Sequence, residues 1–260
     1  MIGIITGTGT YALPSFDGTV HEVDTPWGAA SVSVGSFAGR EVVHLSRHGE
    51  GHVRLSSHVN HRAHIYALRQ QGARAILGTT ACGATDPGIA PGTLIVFDDL
   101  HFPSNRLPDG SLCSLFDRPG EPGRGHWIYD RPYSAALRST LLEGAREAGH
   151  VVRDGGTYGH VDGPRFNTAT EIRQLAAAGV TAVSQTSGPE AVLCGEAELP
   201  YASMGFATDY ANDVAEPTPI EELVRLMGES TRIFADVLRG ALRRIDLDAL
   251  EPTGILYRFD

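Results

Sequence analysis

The chain has 260 residues, 42% of them hydrophobic, with 31 acidic against 21 basic side chains and a formal net charge of −10. That length can bury a sizeable core, and the acidic balance argues against a nucleic-acid or anionic-membrane surface. All 21 basic residues are Arg, which excludes a Walker-type phosphate loop and Schiff-base chemistry, pyridoxal-phosphate attachment included.

In chain order, strands are predicted at 2–6, 41–45, 75–80, 93–99, 180–186 and 202–208, where short β-rich apolar runs stand between turn residues. Helices are predicted at 56–72, 134–149, 168–179, 189–197 and 218–245. Three helix starts read as capping boxes: Thr168 with Glu171, Ser187 with Glu190, and Thr218 with Glu221. Such alternation implies a mostly parallel sheet flanked by helices, an α/β fold. In such sheets ligands bind beyond the carboxyl ends of the strands. Four strand ends run into polar or Gly-rich loops: TGTGT, SRHGEGH, TTACGATD and SQTSGPE.

The 31 Gly and 15 Pro are scattered, with no linker and no internal repeat, so a single domain over 1–260 is expected. The N-terminus has no basic region, and no apolar run reaches about 18 residues, so neither a signal peptide nor a membrane span is expected. Cys82, Cys113 and Cys194 are odd in number and lack CxxC spacing. They suit a reducing cytoplasm and oppose both a disulfide framework and a zinc-thiolate site.

GTGTYA at 7–12 fits a dinucleotide fingerprint, but Pro14 and Gly18 interrupt the helix that the fingerprint needs. A Gly turn offering backbone N–H groups and the hydroxyls of Thr8 and Thr10 to a smaller anion is the competing reading. SRHGEGH at 46–52 leaves three open. Six of the eleven His fall between 44 and 64, which suggests a metal site, although Gly49 and Gly51 oppose the helix that would align them. The string also resembles the RHGE signature of histidine phosphatases, which carry it on their first strand. The third reading is a charge-assisted, bidentate anion cradle of Arg47 and His48, completed by Thr8, Thr80 and Thr186. Glu50 and His52 are taken as loop structure, and His58, His61 and His64 as helix surface or packing. Thr186 precedes a helix start whose free N–H groups suit an anion. Phe166 on its own reads as core. Asp209 ends an apolar strand, where a carboxylate is costly unless it caps a loop or does chemistry.

Taken together, GTGT, SRHGEGH with VNHRAHIYAL, TTACGA, DGPRFNT, SQTSGPEAVLCGEAELPYAS and ATDY resemble the trimeric purine nucleoside phosphorylases, and among them the 5′-methylthioadenosine phosphorylases. The likeness runs from residue 2 to about 245. It implies a single domain with a mixed, partly barrel-closed sheet flanked by helices, assembled as a homotrimer. It also implies phosphorolysis of a purine nucleoside to free base and ribose 1-phosphate, with inorganic phosphate as co-substrate and neither cofactor nor metal. The implied substrate is 5′-methylthioadenosine or a similar 6-aminopurine 5′-deoxynucleoside, the alternative a 6-oxopurine or sugar-modified nucleoside.

Position by position, the resemblance assigns Thr8, Arg47, His48, Thr80 and Thr186 to phosphate, and Ala81, Cys82, Phe166, Asn167 and Asp209 to the base. Gln185, Ile220, Leu223, Val224 and His126 fall to the ribose and 5′-group, with His126 reaching in from a neighbouring subunit. Asp209 and His48 carry the catalytic roles. Four positions depart from the family pattern: Asp162 for Glu, Asn167 for a small hydroxyl residue, Gln185 for Met, and Ala211 for a second acid that Asn212 or Asp213 would have to replace.

Overall fold

The computed structural model describes residues 1–259. Its strands are β1 (Ile2–Thr6), β2 (Asp17–Val23), β3 (Ala30–Phe37), β4 (Arg40–Ser46), β5 (Ala75–Ala84), β6 (Leu94–Val96), β7 (Asp99–His101), β8 (Gly125–Ile128), β9 (Val152–Asp154), β10 (Thr157–His160), β11 (Val180–Ser184), β12 (Tyr201–Tyr210) and β13 (Ile255–Arg258). The helices are α1 (His61–Gln70), α2 (Ala135–Glu147), α3 (Ala169–Ala177), α4 (Ser187–Glu196) and α5 (Ile220–Arg244).

Every residue of β1 is buried, as expected for a parallel strand covered on both faces. It pairs in parallel with β4 and β5. The alternation of β1 then divides two cores: Ile5 packs with residues of α1 and α4, while Ile2 and Ile4 pack with residues of α2 and α5. Helices α2 and α5 approach closely because a Cβ on Gly144 would lie 2.5 Å from the Val237 carbonyl oxygen.

The sheet is mixed and branches at β5, where β1 and then β11 occupy one edge and β12 runs parallel along the other. One path runs β2-β3-β4-β1-β5-β11-β10-β7, and a second continues from β12 to β6 and β9. Among the described residues no ring of strand pairs closes, so these pairings do not include the expected barrel closure. Strands β8 and β13, far apart in sequence, pair antiparallel as a separate two-stranded sheet.

Several expectations shift for local reasons. The strand expected at 93–99 splits into β6 and β7 around buried Phe97. β5 runs past the expected end at 80 and through TTACGA, because β12 pairs with it up to Ala84. The helix expected from 56 begins at His61, since the Asn60 side chain caps it and Ser56–His58 forms a separate 3-10 turn. The Thr168–Glu171 capping box forms. The other two do not: Thr186 and Pro219 sit at those N-caps without side-chain bonds.

Candidate active site

A cavity of about 340 Å³ opens where β1, β4, β5, β11 and β12 deliver their carboxyl ends or the loops beyond them. It gathers Thr8, Arg47, His48, Thr80, Ala81, Cys82, Phe166, Asn167, Gln185, Thr186, Asp209 and Leu223 from seven separated stretches of sequence. Among the described residues, no group of three or more His, Cys, Asp or Glu side chains is arranged to hold a metal ion.

Arg47 follows β4 and is fully buried. Its Nε and Nη2 donate to the two carboxylate oxygens of Glu190, the Nη2 contact at 2.9 Å, while Nη1 donates to the Thr79 carbonyl at 3.1 Å. Tyr201 donates its hydroxyl to the same carboxylate at 2.8 Å. Burial opposes the guanidinium charge, but the Glu190 carboxylate outweighs it and holds the Arg47 pKa above its ordinary value. The bidentate edge expected to hold an anion is therefore occupied by Glu190. Two of the five guanidinium N–H groups remain, one on each terminal nitrogen. Glu190, read in the sequence as a capping acid, is the residue that orients Arg47.

His48 Nδ1 lies 2.8 Å from the Arg54 carbonyl, and burial, then the Arg47 charge, lowers its pKa to about 4. Its ring stacks on His52 with centroids 4.2 Å apart. His52 also lines the cavity and meets the Tyr11 hydroxyl at 3.0 Å, so it belongs to the site and is not loop scaffolding alone. Behind them on α1, His61 and His64 are buried with ring nitrogens that lack partners. Burial pushes the pKa of His61 well down and that of His64 to about 3.

The hydroxyls are placed less uniformly than expected. The turn Gly7–Thr10 closes through the Thr10 N–H to the Gly7 carbonyl at 3.0 Å, with Gly9 at φ 84°. A Cβ on Gly9 would come within 2.9 Å of the Met227 carbonyl oxygen. No helix follows, which removes the dinucleotide reading. Thr8 lines the cavity, whereas Thr10 turns toward Thr231 on α5. Thr80 pairs with the Ser184 hydroxyl at 2.9 Å. The first N–H groups of α4, expected to be free for an anion, donate instead to the Tyr158 hydroxyl, from Thr186 at 3.2 Å and Ser187 at 3.0 Å.

At the other end stands Asp209. Between Ala207 and Asp209 the register of β12 against β5 slips by one residue, leaving Thr208 as a bulge and re-aiming the strand end as bulges beside sites do. Thr208 donates to the Asp209 carboxyl at 2.7 Å. Burial nonetheless raises the Asp209 pKa above the ordinary carboxylate value. Phe166 is 72% exposed at the cavity wall, so it is not core. Gln185 accepts from the Ser56 hydroxyl at 2.7 Å and donates to the Arg165 carbonyl at 3.1 Å. Asn167 donates to Glu171 at 3.2 Å, and Asn212 to the Asn167 carbonyl at 2.6 Å. Asp213 pairs with Arg173 and does not supply the acid missing at Ala211; Ala211 and Asn212 both line the cavity.

Three expected residues lie outside the cavity of this chain. Ile220 and Val224 are each 64% exposed, while Leu223 lines the wall together with Leu55 and Met227, which the sequence reading missed. His126 sits in β8 opposite Tyr257, its ring 5.1 Å from that of Phe259.

The pattern of the Phosphorylase superfamily matches residues 1–243. The chain is 32% identical to S-methyl-5′-thioadenosine phosphorylase of Chloroflexus aurantiacus, covering 99% of this chain and 89% of that one. It is 31% identical to the 6-oxopurine nucleoside phosphorylase of Pyrococcus furiosus, covering 93% and 91%. Methylthioadenosine phosphorylase from Schistosoma mansoni, solved in complex with adenine, superposes with a TM-score of 0.83 at 27% identity, over 93% of this chain and 90% of that one. A family pattern spanning nearly the whole chain makes this protein a member of the phosphorylase superfamily.

Proposed function

We propose that the chain cleaves a purine nucleoside with inorganic phosphate, and that a 6-aminopurine 5′-deoxynucleoside such as 5′-methylthioadenosine fits it best. The observation that carries this reading is the placement of two unlike ends along β5. Arg47 bonds to Thr79, and Asp209 pairs in register with Gly83 four residues on, roughly 13 Å away by strand rise. That is room for a nucleoside with phosphate at one end and base at the other.

Arg47, His48 and the hydroxyls of Thr8, Thr80 and Thr186 orient phosphate for attack on C1′. As the C1′–N9 bond breaks through an oxocarbenium-like state, Asp209 gives a proton to N7 of the departing purine. Such general acid help is worth roughly 10²–10⁴-fold. Burial raises the Asp209 pKa, which favours proton uptake, and in its protonated form the carboxyl donates to N7 through one oxygen and accepts from a 6-amino group through the other. Leu55, Leu223 and Met227 offer an apolar wall to a 5′-alkylthio group. The second reading, a 6-oxopurine or sugar-modified nucleoside, is favoured by Ala211, which leaves Asp209 without a second acid, and by Gln185.

The reaction needs no cofactor besides phosphate. The working form is a cytoplasmic homotrimer in which His126 enters a neighbour's cavity. The exposed apolar side chains of Ile128, Ile255, Tyr257 and Phe259 on and beside the β8–β13 pair support a subunit contact at that sheet. A nucleoside panel assayed for base release with and without phosphate tests the proposal. Phosphate-dependent release, fastest with methylthioadenosine, is expected; equal release without phosphate would make the enzyme a hydrolase.

A further inference from the structure

The donor and acceptor sides of His48 are fixed by the backbone. A carbonyl only accepts, so the 2.8 Å contact to the Arg54 oxygen puts the ring proton on Nδ1 and leaves Nε2 a bare lone pair. Among the described residues Nε2 has no hydrogen-bond partner, yet it is not sealed in the core, and the ring lines the cavity. A second proton on this ring is opposed by burial, by Arg47 and by the stacked His52. His61 and His64 on α1, when charged, oppose it further. The Arg47 charge is itself offset by Glu190, so hydrogen bonding, and not net charge, must tell one tetrahedral dianion from another at this end of the cavity.

We propose that His48 makes the phosphate subsite prefer an oxyanion that carries its own proton, so that phosphate is bound more tightly than sulfate. The proposal rests on the phosphorolysis reading and names the chemical form of its co-substrate. Hydrogen phosphate directs its P–O–H at Nε2, and its other oxygens receive the hydroxyls of Thr8, Thr80 and Thr186 and the remaining Arg47 N–H groups. Sulfate at neutral pH has the same shape and no proton. It would set an oxygen lone pair against the Nε2 lone pair, and a site built around a ligand hydroxyl rejects the analogue that lacks it.

Calorimetric titration of the full chain with inorganic phosphate, arsenate and sulfate at pH 7.5 tests this. Sulfate should bind roughly 10- to 100-fold more weakly than phosphate, with arsenate, which also carries a proton, close to phosphate. His48→Gln, whose amide can donate, should bring the sulfate-to-phosphate ratio toward one. The parent protein supplies a second readout: sulfate must bring a proton onto His48, so its affinity should fall about tenfold per pH unit between pH 5 and 7, a fall phosphate does not share. Sulfate binding within twofold of phosphate, pH-independent sulfate affinity, or an unchanged ratio in His48→Gln overturns the proposal. Phosphate-dependent base release alongside such a result would leave the phosphorolysis reading standing; binding of none of the three anions would sink both.

Discussion

Glu190 and Arg47 face each other through two hydrogen bonds in a cavity wall where neither side chain is more than 1% exposed. Burying such a pair adds little net stability, but removing one partner strands a charge in the interior, at a cost of about 3–5 kcal/mol. Glu190→Gln should therefore lower the urea midpoint by that equivalent. Because the carboxylate orients the guanidinium, the phosphate KM should rise more than the nucleoside KM. An unchanged midpoint would mean that Arg47 finds another counter-charge.

Acid should unfold this protein early. Burial lowers the pKa of His44 and His48 to about 4, that of His64 and His160 to about 3, and that of His61 well below 6.5. Each folded pKa lies below the unfolded value of about 6.5. The native state thus binds fewer protons in that window, and the associated stability is present above pH 6.5 and lost as pH falls toward 4 to 3. Each group contributes a slope of up to roughly 1.4 kcal/mol per pH unit. Melting temperature followed by circular dichroism should be flat from pH 8 to 7 and fall steeply below 6. A flat profile down to pH 5 would show that these rings are charged in the native protein.

Asp209 has the opposite sign. Its folded pKa is raised, so its contribution is complete below the unfolded carboxylate pKa and disappears as pH rises through the folded value. Asp209→Asn should melt higher than the parent at pH 8, by about 2–4 °C per kcal/mol, with the gap narrowing toward pH 4. It should also move preference from 6-amino- toward 6-oxopurine nucleosides while lowering kcat. Unaltered base selectivity would remove Asp209 from base recognition.

Gln185 ties three pieces of the site together: Ser56 beside the phosphate loop, the Arg165 carbonyl in the loop bearing Phe166 and Asn167, and β11. Two hydrogen bonds at roughly 0.5–1.5 kcal/mol each hold this latch. Gln185→Met should cost about 1–3 kcal/mol and raise the nucleoside KM several-fold while leaving the phosphate KM within twofold. Steady-state kinetics with each substrate varied in turn would separate the two, and an equal rise in both would argue for a general loss of shape.

Much of the site was legible because each loop follows an apolar strand whose period-2 or fully buried pattern is strong, as in IGIIT and EVVHL. Thr8, Arg47, His48, Thr80, Thr186 and Asp209 reach one cavity as their order in the chain implies. The failures share a cause, which is that partners far apart in sequence decide them. Glu190 has capping-box spacing, but Arg47, 143 residues away, takes its carboxylate. Free amides at α4 are a sound local inference until Tyr158 arrives from β10. The hairpin β2–β3 was missed because β2 is exposed along nearly its whole length and shows no apolar alternation. Ile220 and Val224 were one helical face away from correct: Leu223 and Met227 turn inward, and they turn outward.

The extra residue at Thr208 separates two jobs within a single strand. Up to Ala207, β12 keeps step with β5 and its side chains answer to the cores on either side. Beyond the bulge a new phase begins, and the residue at 209 answers to whatever occupies the cavity. Natural variation at the tip can therefore change which purine is read without repacking Met204 or Phe206. Deleting the bulge residue would leave the cores and the pairing of Asp209 with Gly83 in place while removing the hydroxyl that Thr208 donates to the Asp209 carboxyl.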